Sequence, residues 1–515
     1  MWSRGVEPWG ATPDTYPVMD RLRAIGLVLS FTLGAACAGL KQNAAETGGH
    51  GGSPSGAAGG PAVSSTGAAG TTGSTGGGGA RGTGNCNNLE CYQTMCMVTS
   101  CTVPACGELE GSKTTLSGTI YDPAGSVPLY NVAVYIPNKP LDPISEGLSC
   151  QKCDGTASGQ PIASALTDST GHFTMDNPPV GTNIPMVIQV GKWRREVIIP
   201  NITRCTDNVL TDVDLTRLPR NQSEGHLPQI AFTTGHSDAI ECLLRKIGIS
   251  DSEFTPDSGT GRVHMYWGGD LTGPGDGTGA GASALASGGQ FASAATLWGS
   301  PAKLANYDIM ILSCEGSQYD KAKTPYLANI KQFADRGGRI FDDHLHFYWI
   351  YKGLPPWPAT ADWIGVGTDL GDVTGLVDTT FAKGAIFSSW LSTVGASTTP
   401  GQIPIVMAQH SVSAAYPPAS QQWIYTSSPS ASVQYLDFNT PVEAEAANQC
   451  GRVVFTDIHV SAASGDASNF ETPFPTGCTS TTLSPQEKAL EFIFFDLASC
   501  VQNVFDMPMP PIIIP

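Results

Sequence analysis

Residues 307 to 350 constrain the fold more than any other stretch, because they read as strand, helix and strand in succession: YDIMILSCEG, a helical segment, then GGRIFDDHLHFYWI. Between the two apolar runs Tyr326, Ile330, Phe333 and Ala334 recur at helical spacing, and Gly337-Gly338 supplies a residue able to turn left-handed and end the helix. Two strands joined through a helix pair in parallel, and ligands of parallel sheets bind beyond the carboxyl ends of the strands. Cys314, Glu315, Asp342, Asp343, His344 and His346 stand at those ends.

The surrounding segments extend the pattern over 226 to 502 as an α/β doubly wound parallel sheet. LPQIAFTTG, GRVHMYWGG and the near-continuous apolar run GRVVFTDIHV are further strands. Asp238-x-x-Glu241 reads as a capping-box start to a helix with Ile240, Leu243, Leu244 and Ile247 on one face, and residues 381 to 394 form another helix. Ser484-Pro485-Gln486-Glu487 caps a last one. Residues 268 to 289 are a Gly-rich surface loop without the Lys of a phosphate cradle, and about 400 to 440 turn β-rich, an antiparallel insertion or extension. Polar groups then mark five strand ends: Thr234 to Asp238 with His236, Gly268 to Asp270, Cys314 and Glu315, Asp343 to His346, and Asp457 to His459.

A chain of 515 residues is too long for one core. Residues 114 to 218 alternate apolar and polar in short runs such as TLSGTIYD, GHFTMDN and IPMVIQVG, as in an all-β antiparallel sandwich, so the chain is multidomain. Fourteen Cys fit an exported, disulfide-forming protein. Residues 86 to 110 repeat Cys every five positions, and Cys150 and Cys153 form a C-x-x-C; both are expected to be disulfide staples rather than metal knuckles. His172 falls in a sandwich strand as a structural residue. A Pro-rich tail spans 503 to 515.

Before these domains come segments with no core. If the start is Met19, Asp20-Arg21-Leu22-Arg23 and the apolar run Ala24 to Ala36 form a signal peptide, too short to span a bilayer. LGAACAG resembles the lipobox of bacterial lipoproteins, which implies lipidation of Cys37; Leu33 lies one place early, with Gly34 in its position, so ordinary cleavage near Ala36 is the alternative. Residues 38 to 85, almost all Gly, Ser, Thr and Ala from 47 onward, form a disordered tether with a random-coil reach of roughly 35 Å. The expected location is extracytoplasmic, anchored to the outer membrane through lipid, or otherwise periplasmic or secreted. A net charge of -18 without Lys/Arg clusters excludes nucleic acid as a partner, and leaves the lipid anchor and a glycan or cell-surface partner. Nothing in the sequence sets the oligomeric state.

Two family resemblances cover the folded part. The segment with Gly118, Asp122, Pro128-Leu129, Val132, Val134, Thr167-Asp168, Gly171, Phe173, Pro179 and Gly181 resembles the carboxypeptidase regulatory-like domain, a transthyretin-type sandwich, with residues 138 to 160 as an insertion. That resemblance implies an accessory domain without catalytic residues. LPQIAFTTGHSDAI, YDIMILSCEG, GGRIFDDHLH and CGRVVFTDIHV resemble the class I glutamine amidotransferase-like fold, most closely its trehalose-utilisation-type branch. Leader, sandwich and α/β domain together resemble a family of exported bacterial lipoproteins. Some members of such families carry a tryptophan synthase alpha-chain name, which these residues do not support: that enzyme calls for a cytosolic (β/α)8 barrel.

Glutamine hydrolysis is not expected either. It needs a Cys on a G-x-C-x-G elbow and a late His-x-Glu, whereas the elbow position holds DDHLH and FTDIHV lacks the Glu. Cys314 lies one strand earlier and is expected to be disulfide-bonded or simply buried. His344 and His346, two apart on a strand or its extension, share a face that His459 and Asp457 approach from the next strand. With Asp343, Glu315 and Cys314 they are the candidate catalytic set. No cofactor is expected, zinc on His344, His346 and His459 ranking behind histidines that cap strand ends. The preferred expectation is a non-catalytic binding or surface-interaction protein, with Trp349, Trp357, Trp363, Tyr348 and Tyr351 stacking on sugar; the alternative is a hydrolase or sugar-processing enzyme.

The leader generates one test. Mature protein should partition with membranes and incorporate palmitate label, and Cys37→Ala should release it; label that survives the substitution would refute the anchor.

Overall fold

The computed structural model describes residues 113 to 269, 281 to 469, 471 to 503 and 505 to 513, together with Leu89 and Cys106. Cys37, the tether, most of the Cys-rich segment and Asp270 lie outside the described residues. From 113 onward these residues belong to one compact unit.

Short apolar runs, alternating most plainly over Pro161–Leu166 and His172–Asp176, build two small sheets. β1 (Thr115–Thr119) lies antiparallel to β4 (His172–Asp176) and parallel to β7 (Asp207–Leu210). β2 (Ala133–Pro137), β3 (Pro161–Leu166), β5 (Gly181–Val190) and β6 (Trp193–Ile202) form the second sheet in the order β3-β2-β5-β6, antiparallel throughout. In β4 the period of two is plain: Phe173 and Met175 are buried while His172, Thr174 and Asp176 face solvent. Leu116 and Phe173 from one sheet and Val134, Ile136 and Met186 from the other enter one apolar cluster.

The rest of the chain is organised on an eleven-stranded mixed sheet. β8 (Ile230–Thr234), β9 (Phe254–Pro256), β10 (Val263–Trp267), β11 (Ala292–Ser293), β12 (Ile309–Leu312) and β13 (Arg339–Asp343) pair in parallel, with β18 (Gly451–Thr456) parallel to β13. Beyond β18 the sheet turns antiparallel through β17 (Ser432–Thr440), β16 (Gln421–Thr426), β14 (Ala361–Val377) and β15 (Gln402–Ala415). β13 and β18 are buried at every position, as central strands covered on both faces must be.

Helices close both faces: α1 (Ile240–Lys246), α2 (Leu327–Asp335), α3 (Ala382–Thr393) and α4 (Pro485–Ala498). Gly337 ends the α2 turn at φ +117°, where its missing Cβ leaves room for the Ser149 carbonyl. Ser484 and Glu487 form the expected capping box on α4. The cap expected on α1 is absent: Ala239 occupies the N-cap, and Asp238 instead accepts from the Val460 and Ser461 amides. β14 went unanticipated because its many Gly and Asp residues are poor strand formers; it is held by pairing with β15 across several register shifts.

Sandwich and large sheet share one core. Tyr130 stacks on Phe492 of α4 at 6.1 Å, Trp193 packs edge-on to Phe495 at 5.9 Å, and Trp390 Nε1 donates to the Pro128 carbonyl at 2.7 Å. Among the described residues four disulfides staple the unit: Cys106–Cys205, Cys150–Cys450, Cys153–Cys500 and Cys242–Cys478. Cys150 and Cys153 therefore take separate partners across the junction, and neither a redox pair nor a metal knuckle forms there. Such bonds fit an oxidising compartment outside the cytoplasm. Among the described residues no helix is long and apolar enough to cross a membrane.

Glu241, buried on α1 with an unpartnered Oε2, yields a pH test. Burial lifts its pKa from 4.5 to about 8, so the folded chain keeps a proton that the unfolded chain releases near 4.5. Stability is therefore lost as pH rises between those two values. Glu241→Gln should melt higher than the native chain at pH 8 and converge with it below 4.5; parallel melting curves across that range would contradict this.

Candidate functional site

Side chains on a strand alternate faces, so Asp342 and Asp343 at the end of β13 leave the sheet on opposite sides. Each meets a different polar cluster.

On Asp342's side, Lys323 Nζ lies 2.8 Å from Glu315 Oε2 with neither side chain exposed. Glu315 Oε1 accepts from the Gly269 amide at 2.9 Å, and Lys323 also stands 6.0 Å from the Trp349 ring centroid. Burial raises the pKa values of Glu315 and Asp342, with Lys323 opposing both shifts. His346 is fully committed here. Trp349 Nε1 donates to its Nδ1 at 3.1 Å, so Nε2 carries the hydrogen and donates to the Ser313 carbonyl at 3.0 Å. Burial and then Lys323 lower its pKa well below the usual histidine range, and the ring stays neutral.

On Asp343's side three strand ends converge. Asp343 Oδ2 accepts from the Cys314 amide at 2.9 Å. Cys314 Sγ lies 3.4 Å from His344 Nδ1, and the His344 and His459 rings meet edge-on at 4.8 Å between centroids. The Nε2 atoms of both histidines are buried without a partner. Asp457, two residues before His459, accepts from Ser411 N and Oγ at 2.8 and 2.9 Å. His344 adopts φ +41°, a left-handed backbone unusual for a residue with a Cβ, and such strain concentrates at functional sites. Gly367 on β14 completes the wall; a Cβ there would come within 3.0 Å of His344 Nε2.

The electrostatics discourage a thiol nucleophile. Burial and then Asp343 push the Cys314 thiol well up, while burial and then His459 push His344 well down. Both shifts oppose the thiolate–imidazolium pair that such chemistry needs. Burial also lowers His459, against the charges of Asp238 and Asp369. Asp343 is pushed well up by burial and then Asp238, and burial lifts Asp457 to about 7.

The expected residues thus divide. Cys314, Asp343, His344, Asp457 and His459 gather on one side of the sheet, whereas Glu315 and His346 belong to the other. His344 and His346 do not share a strand face, because His344–Phe347 is a 3-10 turn that rotates residues two apart away from each other. Cys314 is buried and free of any disulfide. His236 is exposed, and His172 lies on the solvent face of β4. Trp349 and Trp357 are each 1% exposed and Tyr348 is buried, so these three rings are core, while Trp363, stacked on Phe347 at 5.9 Å, and Tyr351 are partly buried against it. Lys323 and Ser411 went unanticipated: a Lys in a four-residue helix and a Ser in a β-rich insertion look like surface residues in sequence.

Lys323→Met should destabilise the chain by about 3–5 kcal/mol at neutral pH, because it strands a buried carboxylate. The loss should shrink below pH 4.5, the ordinary glutamate value, where Glu315 is protonated folded or unfolded. Denaturant melts at both pH values measure it, and an equal loss at each would show that the ion pair is not its source.

No family model and no curated relative matches the chain. Among solved structures, a ThuA-like protein from Bacteroides uniformis aligns with 54% of this chain and 94% of its own at 10% identity and a TM-score of 0.27. A chain of a type II cohesin–X-dockerin complex from Acetivibrio cellulolyticus aligns with 29% of this chain and 79% of its own at 18% identity and a TM-score of 0.14. At such TM-scores these likenesses carry no weight for fold or function.

Proposed function

We propose that this chain is an exported cell-envelope protein whose large sheet carries a hydrolase-type reaction centre for an ester or glycosidic substrate. The centre lies beyond the carboxyl ends of β12, β13 and β18. What supports it is the meeting of His344 and His459 from separate strands, each with an unpartnered Nε2, beside Cys314. A neutral imidazole whose Nε2 carries no hydrogen offers a lone pair to water, and Asp457, lifted to about 7, can hold a proton near neutral pH. The sequence resemblances to the trehalose-utilisation-type branch and to the carboxypeptidase regulatory-like sandwich agree with a processing domain beside an accessory one. Lipidation of Cys37 would hold both at the envelope.

A second function, glycan binding without turnover, is favoured by one observation. A cleft of about 520 Å³ is lined by Gln421, Asn439, Glu443, Gln449, Asn503 and the half-exposed ring of Phe505. Amides and carboxylates bond hydroxyl groups, and a ring offers a face for stacking.

The test is turnover of a panel of aryl esters and aryl glycosides by the full-length chain. His344→Ala and His459→Ala should each lower kcat/KM by about 10²-fold or more while the far-ultraviolet spectrum stays native. Full activity in both variants would remove the reaction centre. Glycan binding with no turnover of any substrate would select the cleft instead.

A further inference from the structure

Every other described cysteine is in a disulfide; Cys314 alone keeps its thiol. It keeps it next to two imidazoles. One sulfur, one His344 nitrogen and one His459 nitrogen all lie within 4.8 Å of one another, and all three residues are buried. Tetrahedral coordination by zinc sets sulfur and imidazole nitrogen about 3.5 Å apart, and Cys314 Sγ and His344 Nδ1 already stand at 3.4 Å. The unpartnered Nε2 atoms show that neither histidine is saturated by protein bonds.

Asp238, Asp343 and Asp457 are fully buried around this point and accept from the Val460, Cys314 and Ser411 amides, so the two imidazoles and the thiol are what remains uncommitted there. His346 is excluded as a ligand because both of its ring nitrogens are engaged with Trp349 and Ser313, leaving no lone pair for a metal.

We infer that Cys314, His344 and His459 bind one divalent cation of the zinc class. Thiolate with imidazole suits zinc and disfavours magnesium or calcium, which take oxygen. Binding replaces the Cys314 S–H bond with a metal–sulfur bond and releases that proton to solvent, while both imidazoles ligate as neutral groups. The fourth position is left to water. The inference deepens the reaction centre proposed above and rests on it for its use, though not for the binding itself.

The experiment uses the untagged full-length chain, stripped with chelator and reloaded with zinc or cobalt(II). Elemental analysis should find zinc retained stoichiometrically through gel filtration, and the cobalt form should show a near-ultraviolet sulfur-to-metal charge-transfer band. Cys314→Ser should abolish the band, and His459→Ala should weaken zinc affinity at least tenfold. His346→Gln, whose amide can still serve Trp349 and Ser313, should keep both. Because the band is read on the native chain, the result does not depend on any variant folding. No retained metal, a cobalt spectrum without sulfur character, or undiminished affinity in Cys314→Ser would overturn the site. Metal retained without turnover would leave the site standing and remove the hydrolase function; turnover by metal-free chain would leave that function standing and overturn the site's use in it.

Discussion

Alternation along β13 sends Asp342 to one face of the sheet and Asp343 to the other, and the polar organisation of the molecule follows from that split. Both carboxyl groups are fully buried, where an ionised group without a partner costs several kcal/mol. The two faces meet the cost differently. Beside Asp342, a lysine is brought in from a short helix and paired with Glu315. Beside Asp343, among the described residues, there is no Lys or Arg partner, and the Cys314 amide, two further carboxyl groups and two imidazoles stand there instead. The first face holds an ion pair, whereas the second gathers a thiol and two imidazoles.

What positions the second face is rigid framework rather than loop. Cys314 follows β12, His344 follows β13 and His459 follows β18, three neighbouring strands held in register by parallel pairing. β14 and β15 cross over the site and bring Gly367 and Ser411 to it. Asp238 ties the start of α1 to Val460 and Ser461, so that the loop carrying His459 cannot drift from the strand carrying Cys314. The sandwich contributes from a distance: its aromatic contacts with α4 and the two junction disulfides brace the helix that covers the central strands.

Much of this was legible because it rests on periodicity. The run from 307 to 350 announces its strands by apolar continuity and its helix by spacing, and chemistry at the carboxyl ends follows from parallel pairing alone. The capping box at Ser484 is equally local. Failures came where tertiary contacts decide. Asp238 and Glu241 have helix-cap spacing, yet Asp238 is captured by amides more than two hundred residues away. His344 and His346 look like strand neighbours, but the left-handed backbone at His344 starts a 3-10 turn and separates them. The tryptophans after 346 carry no mark that distinguishes a stacking platform from a core. Nor does sequence reveal that a buried thiol from one strand end would take the place expected of a third histidine.

The central claim is that one sulfur and two imidazole nitrogens share a single point in space. X-ray absorption fine structure at the zinc edge of the reloaded full-length chain tests it most directly, since it counts scatterers and their distances. A first shell of one sulfur at about 2.3 Å with nitrogen or oxygen at about 2.0 Å, and outer-shell imidazole scattering from two rings, is the result expected. A shell of light atoms only, or one with two or more sulfurs, would contradict it.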